Sequence, residues 1–319
     1  MTNLRAGRLT SALTAGLVLV QGIEPLPVVG KAWRMGWNLV AGLGRRPVRG
    51  FVHQRPVLMR PGNPYPVNVR RYSDYNRPLV DLVRATSTRL GRAVTVIDVG
   101  AAIGDTALLL LERAGDDIRA IVCMDADEET LAMLRANVAH DRRVSVRAAM
   151  LGGSGDEAAP ALVTTHPGTA SPQGHVTVPC RSLDQVIGDL AGVDVLKIDL
   201  DGYDGRVLTG ARQILARHRP AVLFEWDPYL CDRTRNPVRL SFDVLRTAGY
   251  RDLVFYDKTG VFRARGDLED SALIDELESW CRALPIALDP HFDVVGFPAE
   301  EIPCCDDLVA LSRARDDAA

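Results

Sequence analysis

Residues 94–115 read VTVIDVGAAIGDTALLLLERAG. The run 94–98 is short, apolar and without polar alternation until Asp98 closes it, as expected of a strand buried on both faces of a parallel sheet. Gly100 and Gly104 then allow a tight turn. DTALLLLERA (105–114) has the composition of a helix, with Gly115 as its stop. This strand–turn–helix unit recurs down the chain. RAIVCMD (119–125) is a second strand, followed by a helix opened by Asp127, Glu128 and Glu129, where acidic side chains suit the helix dipole. RVSVRAAM (143–150), DVLKID (194–199), PAVLFE (220–225), YRDLVFYD (250–257) and HFDVVGF (291–297) read as further strands. Helices are expected between them, one from the capping box of Ser182 and Gln185, others over 240–249 and around Leu273–Leu284. Alternating β and α units predict an α/β fold with a doubly wound, mostly parallel sheet.

Outward from this core the chain is less regular. Residues 1–50 are rich in Gly, Pro and Arg outside one apolar patch, and FVHQRPVLM and YPVNVRRY (51–72) look strand-like. We therefore expect an N-terminal extension over 1–75, a main domain over 76–300 and a C-terminal tail over 301–319. LTSALTAGLVLVQGI (9–23) is too short for a comfortable membrane span and lacks a following cleavage site. Leu9, Leu13, Leu17 and Val20 recur at helical spacing, so a helix packed on the body or a peripheral membrane contact through residues 9–23 both fit. The formal charge of −3 over 319 residues gives no reason to expect nucleic acid as a partner. Six Cys without a C-x-x-C pair point to reduced thiols in a cytoplasmic protein, with or without membrane association. Residues 152–181 form a long polar excursion with strand-like fragments, carrying His166 and His175, read as solvated or as substrate-side bases.

Ligands of a doubly wound sheet bind at the carboxyl ends of the strands. After the first strand stands D-V-G-A-A-I-G-D-T (98–106), and after the second Asp125, an acid placed to accept from two ribose hydroxyls. The turn is G-x-x-x-G rather than the G-x-G-x-x-G that cradles a pyrophosphate, and an acid beside it repels phosphate. That charge logic favours the sulfonium and ammonium of S-adenosylmethionine over NAD, although a dinucleotide-dependent oxidoreductase shares this layout.

VIDVGAAIGDTALLL, CMDADEETLAMLRANV, VPCRSLDQVI, DVLKIDLDGYDGRVLTGARQIL and RPAVLFEWDP together resemble the FkbM-type S-adenosylmethionine-dependent methyltransferases, from about Val94 to Glu225 and more weakly through HFDVVGFP. The resemblance implies a Rossmann-like class I methyltransferase sheet with a late antiparallel strand, and O-methylation of a small-molecule or saccharide acceptor such as a sugar, glycolipid or natural product. It places Asp98, Gly100, Ala102 and Gly104 on the methionine part of the cofactor and Asp125 on its ribose. Asp105 and Ala149 count with the cofactor set. Asp125 and Asp201 stand where the family carries Glu, shorter by one methylene, which leaves open a non-catalytic relative that has kept the fold.

Methyl transfer requires a hydroxyl aligned behind the methyl group and a base for its proton. Asp199, closing the fourth strand, is the first catalytic candidate and Glu225, closing the fifth, the second. Lys197 inside an apolar strand is expected to pair with a carboxylate. Tyr203, Trp226 and Tyr229 either line an acceptor pocket or pack. Asp199, Asp201 and Asp204 look like a calcium loop, but Tyr203 and Gly210 occupy ligand positions five and twelve. No metal site is assigned, with magnesium left as an option. Asp204 is expected as an ordinary first-turn acid. Oligomeric state has no signal in the sequence.

Overall fold

The computed structural model describes residues 7–23, 28–42, 46–52, 55–153, 158–166, 169–188 and 190–316. The elements run α1 (Arg8–Leu19), α2 (Val29–Gly42), β1 (Val48–Val52), β2 (Arg55–Met59), α3 (Tyr65–Arg71), α4 (Arg77–Leu90), β3 (Val94–Val99), α5 (Asp105–Arg113), β4 (Ile118–Asp125), α6 (Glu128–Val138) and β5 (Val144–Ala148). They continue with β6 (Ala158–His166), β7 (Thr169–Pro179), α7 (Leu183–Ile187), β8 (Val195–Ile198), α8 (Asp204–Thr209), α9 (Arg212–His218), β9 (Ala221–Trp226), α10 (Pro228–Thr234) and α11 (Leu240–Thr247). The last are β10 (Tyr250–Asp257), β11 (Phe262–Asp267), α12 (Ser271–Ala283), β12 (Phe292–Pro298) and α13 (Ile302–Asp316).

Eight strands form one sheet in the order β11-β10-β12-β9-β8-β3-β4-β5. The pairs β3–β4, β3–β8, β4–β5 and β8–β9 are parallel. The late strand β12 lies antiparallel between β9 and β10. Strand order reverses beside β3, where β4 and β8 flank it, so the ligand crevice of this mostly parallel, Rossmann-like α/β sheet with a late antiparallel strand lies there. Each of the seven strands expected from the apolar runs is present, with shifts of one or two residues at its ends. β11, an edge strand of alternating exposure, was not foreseen.

The core divides by strand parity. Val94 and Val96 of β3, Val195 of β8 and Leu223 of β9 face α4, α5, α6 and α13. Ile97, Val99, Leu196, Ile198, Val222 and Phe224 face α7, α8, α9, α11 and α12. Each fully buried aliphatic side chain is worth about 1.5–3 kcal/mol relative to exposure. The six cysteines are buried and none of them is in a disulfide.

Two segments differ from the sequence reading. YPVNVRRY is not a strand: residues 65–71 form α3, with Pro66 in its first turn, where its missing N–H costs nothing. The C-terminal residues expected as a tail instead carry α13, whose Cys304, Cys305 and Leu308 are buried against the sheet; residues 317–319 lie outside the described residues. The excursion 152–181 contains a separate hairpin, β6–β7, with His175 exposed and the His166 side chain outside what is described. The N-terminal hairpin β1–β2 is fastened to the main domain by Asn137 of α6. Its Oδ1 accepts from Leu58 N at 2.7 Å, and its Nδ2 donates at 2.9 Å to Leu58 O and Ile103 O.

Candidate active site

A cavity of about 730 Å³ opens at the carboxyl ends of β3, β4, β8 and β9, within the range of small-ligand sites. Its floor begins with the turn after β3. Gly100 has φ +76°, and a Cβ there would lie 1.9 Å from the Asp199 carbonyl oxygen, so only glycine lets β3 and β8 end side by side. Ala102 is also left-handed, at φ +44°. Its N–H donates to Asp125 Oδ2 at 3.0 Å, while Asp125 Oδ1 accepts from the N–H groups of Ala126 and Asp127 at 2.8 and 3.0 Å. Asp125 thus pins the turn. Burial raises its carboxyl to about 6, against the pull of these amides. Each carboxylate oxygen has further acceptor capacity for a ribose hydroxyl.

Of the sequence candidates, Gly100, Ala102, Asp105, Asp125, Ala149, Asp199 and Glu225 line the cavity; Asp98 and Gly104 do not. Gly104 is the left-handed N-cap of α5, where a Cβ would meet Leu134 at 2.8 Å, so its smallness serves helix packing. Asp98 is fully buried, accepts from Thr106 Oγ1, and stands 3.2 Å from Lys197 Nζ. Lys197 also reaches Asp199 Oδ2 at 3.3 Å. Burial disfavours the ammonium, but Asp199, Asp98 and Asp105 outweigh it and hold Lys197 well above its ordinary value. Lys197 is therefore the paired cation expected from its place in an apolar strand, and it couples Asp98 to the cavity through Asp199.

Strand register explains the remaining acids. Asp98 sits opposite Lys197, and Glu225 opposite Asp293, on the same face of the sheet. Because β12 runs antiparallel, it delivers its beginning to the rim where the parallel strands end, so Asp289, His291 and Asp293 join the site. The sequence reading missed these three; the signal was the antiparallel strand itself. Glu225 Oε1 lies 3.7 Å from His291 Nε2, and Oε2 is buried without a hydrogen-bond partner among the described residues. Burial first, then neighbouring carboxylates led by Asp199, push the Glu225 carboxyl well up. Burial works against charge on His291, but Asp289, Asp293 and Asp227 hold its pKa up to about 9. Asp293 is raised to about 6 and Asp105 to about 7, both chiefly by burial.

Asp204 stands in the first turn of α8, as expected, and also does more. It is buried, accepting from Leu200 N at 3.4 Å and Glu225 N at 3.3 Å, and ties the loop after β8 to β9. Asp201 is left-handed at φ +50° and lines the cavity. Tyr203 lines it too, whereas Trp226 packs in the core and donates to Val238 O at 2.9 Å.

The opposite wall comes from the N-terminal extension: Trp37, Asn38 and Ala41 of α2, and Tyr65, Tyr72 and Tyr75 in and after α3. The N-terminal extension therefore encloses the site. Among the described lining residues eight are carboxylates, against Arg71, Lys258 and His291, so the cavity favours a cationic ligand. Asp227, Asp289 and His291 bring ligand atoms within 4.8 Å of one another. With His291 held protonated by these same acids, the imidazolium supplies the positive charge there.

Residues 98–251 match the family model of the methyltransferase FkbM domain. No curated protein matches the chain. Among solved structures, a methyltransferase FkbM from Methylobacillus flagellatus KT is 18% identical with a TM-score of 0.38, over 50% of this chain and 39% of that one. A precorrin-6y C5,15-methyltransferase from Geobacter metallireducens GS-15 is 12% identical with a TM-score of 0.35, over 68% and 87%. The Methanococcus jannaschii fibrillarin pre-rRNA processing protein is 12% identical with a TM-score of 0.37, over 65% and 67%.

Proposed function

We propose that this chain, whose residues 98–251 match the model of the methyltransferase FkbM domain, methylates a hydroxyl of a sugar, glycolipid or natural-product acceptor with S-adenosylmethionine as donor. The observation that carries this reading is the turn Gly100–Gly104 pinned by Asp125, on the floor of a carboxylate-lined cavity at the switch point of the sheet. A backbone with no room for a Cβ at Gly100 and an acid with spare acceptor capacity at the end of β4 fit the methionine and ribose parts of the donor.

Bound there, the donor supplies a methyl group on a positively charged sulfur. Gly100, Ala102, Asp105, Asp125 and Ala149 would hold it. Asp199, at the end of β8 with 48% of its side chain exposed, is the proton acceptor. The acceptor hydroxyl would take up that methyl group and give its proton to Asp199. Glu225, kept towards its protonated form, orients the acceptor as a hydrogen-bond donor, and Lys197 holds the Asp199 carboxylate in place. The tyrosines of the N-terminal wall keep water from the reacting atoms.

Isothermal calorimetry with S-adenosylhomocysteine on the full chain tests the reading. Binding at micromolar affinity is expected; no binding of this ligand, with NAD bound instead, overturns it.

A further inference from the structure

Residues 1–73 contain eleven Lys or Arg and a single acid, Glu24, a net charge of +10; the whole chain is at −3, which leaves −13 for residues 74–319. The same basic segment carries an apolar surface. Leu9, Leu13 and Leu19 recur along the outer side of α1, and Met35 and Leu39 along that of α2; all five are exposed, Leu9 and Met35 by about three quarters. The inner sides are occupied: Thr14, Trp33 and Val40 are buried, and Trp33 Nε1 donates to Leu17 O at 2.9 Å. Among the described residues, no helix is long and apolar enough to cross a membrane. Short amphipathic helices with basic flanks and an outward apolar stripe suit the plane of an anionic lipid interface.

We propose that α1 and α2 lie flat on an anionic lipid surface and that the acceptor is a hydroxyl compound anchored in that surface. Exposed Arg8, Lys31, Arg34, Arg46 and Arg49 supply the charge match. α2 supplies the geometry: Met35 and Leu39 face outward while Trp37 and Asn38, on the same two turns, line the cavity. A bilayer touching α2 therefore adjoins the cavity wall. The acidic remainder of the chain is repelled by the same surface, which orients the molecule. This names an acceptor class for the site read above and rests on that reading.

The test is co-sedimentation of the full chain with vesicles of phosphatidylcholine alone or mixed in equal parts with phosphatidylglycerol. Binding to the mixed vesicles is expected to be about tenfold stronger and to be reversed by high salt. The double variant Met35→Asp, Leu39→Asp is expected to weaken it about tenfold again, with an unchanged melting curve and unchanged affinity for S-adenosylhomocysteine. With labelled S-adenosylmethionine and the lipids of the source cells, label is expected in the organic extract. No sedimentation, or sedimentation indifferent to the variant, overturns the docking. So does a dimer in light scattering that the variant disperses while vesicles are ignored, since a second copy then covers the face. Label confined to water-soluble products overturns the acceptor class. Failure to bind S-adenosylhomocysteine with vesicle binding intact overturns the methyltransferase reading alone.

Discussion

Asp199 and Glu225 end neighbouring strands, yet their surroundings differ. Asp199 is half exposed beside Lys197, while Glu225 is 14% exposed among acids that favour its protonated form. Asp199→Asn is expected to lower kcat about 100-fold, the scale of a lost general base. S-adenosylhomocysteine affinity should hold within about threefold, because Asp98 still balances Lys197. Near-normal turnover refutes the assignment. Asp125→Ala removes the pin on the Ala102 amide together with the proposed ribose acceptor, so calorimetry should show S-adenosylhomocysteine binding weakened at least about tenfold, or ~1.4 kcal/mol. Unchanged affinity counts against that role. The placement of both carboxylates was legible in the sequence, since a carboxylate directly after an apolar run must sit at a strand end. The burial of Asp204 was not, because only the contact between two loops puts it under β9.

At the scale of elements, the buried parallel strands were readable because apolar runs of this length have few other uses. α13 was not. Its packing face includes vicinal Cys304 and Cys305 and a buried serine, Ser312, whose Oγ shares a 2.9 Å hydrogen bond with Tyr256 Oη. A serine satisfied by a tyrosine gives no hydrophobic period to count. Leu308, fully buried between α13 and the sheet, makes the point testable. Leu308→Ala is expected to cost about 2–5 kcal/mol in urea denaturation, whereas a solvated tail would cost under about 0.5 kcal/mol. α3 was misread for the opposite reason: alternating Val and polar residues mimic a strand, and Pro66 decides for the helix.

For the whole molecule, the clustered acids make stability depend on pH in a definite direction. Asp105, Asp125 and Asp293 are raised to about 7, 6 and 6, and His291 to about 9, so the folded protein binds more protons than the unfolded chain between about pH 4 and 9. These contributions are present below the unfolded values and lost as pH rises through the folded ones. Calorimetric Tm should therefore be higher at about pH 5.5 than at about pH 8.5, and His291→Gln should flatten the upper part of that slope. A flat or rising trend in the parent protein refutes the balance. The wall formed by α2 and α3 shows where sequence reasoning ended: nothing local in Trp37 or Tyr65 says that a segment far from the strand ends folds over them. The position of β12 also sets an order of assembly. Because it slots between β9 and β10, both present open edges until residue 298 has left the ribosome. Asp289, His291 and Asp293 arrive with it, so a nascent chain halted before them holds the glycine turn without a finished pocket, and carries two unpaired strand edges of the kind that chaperones cover.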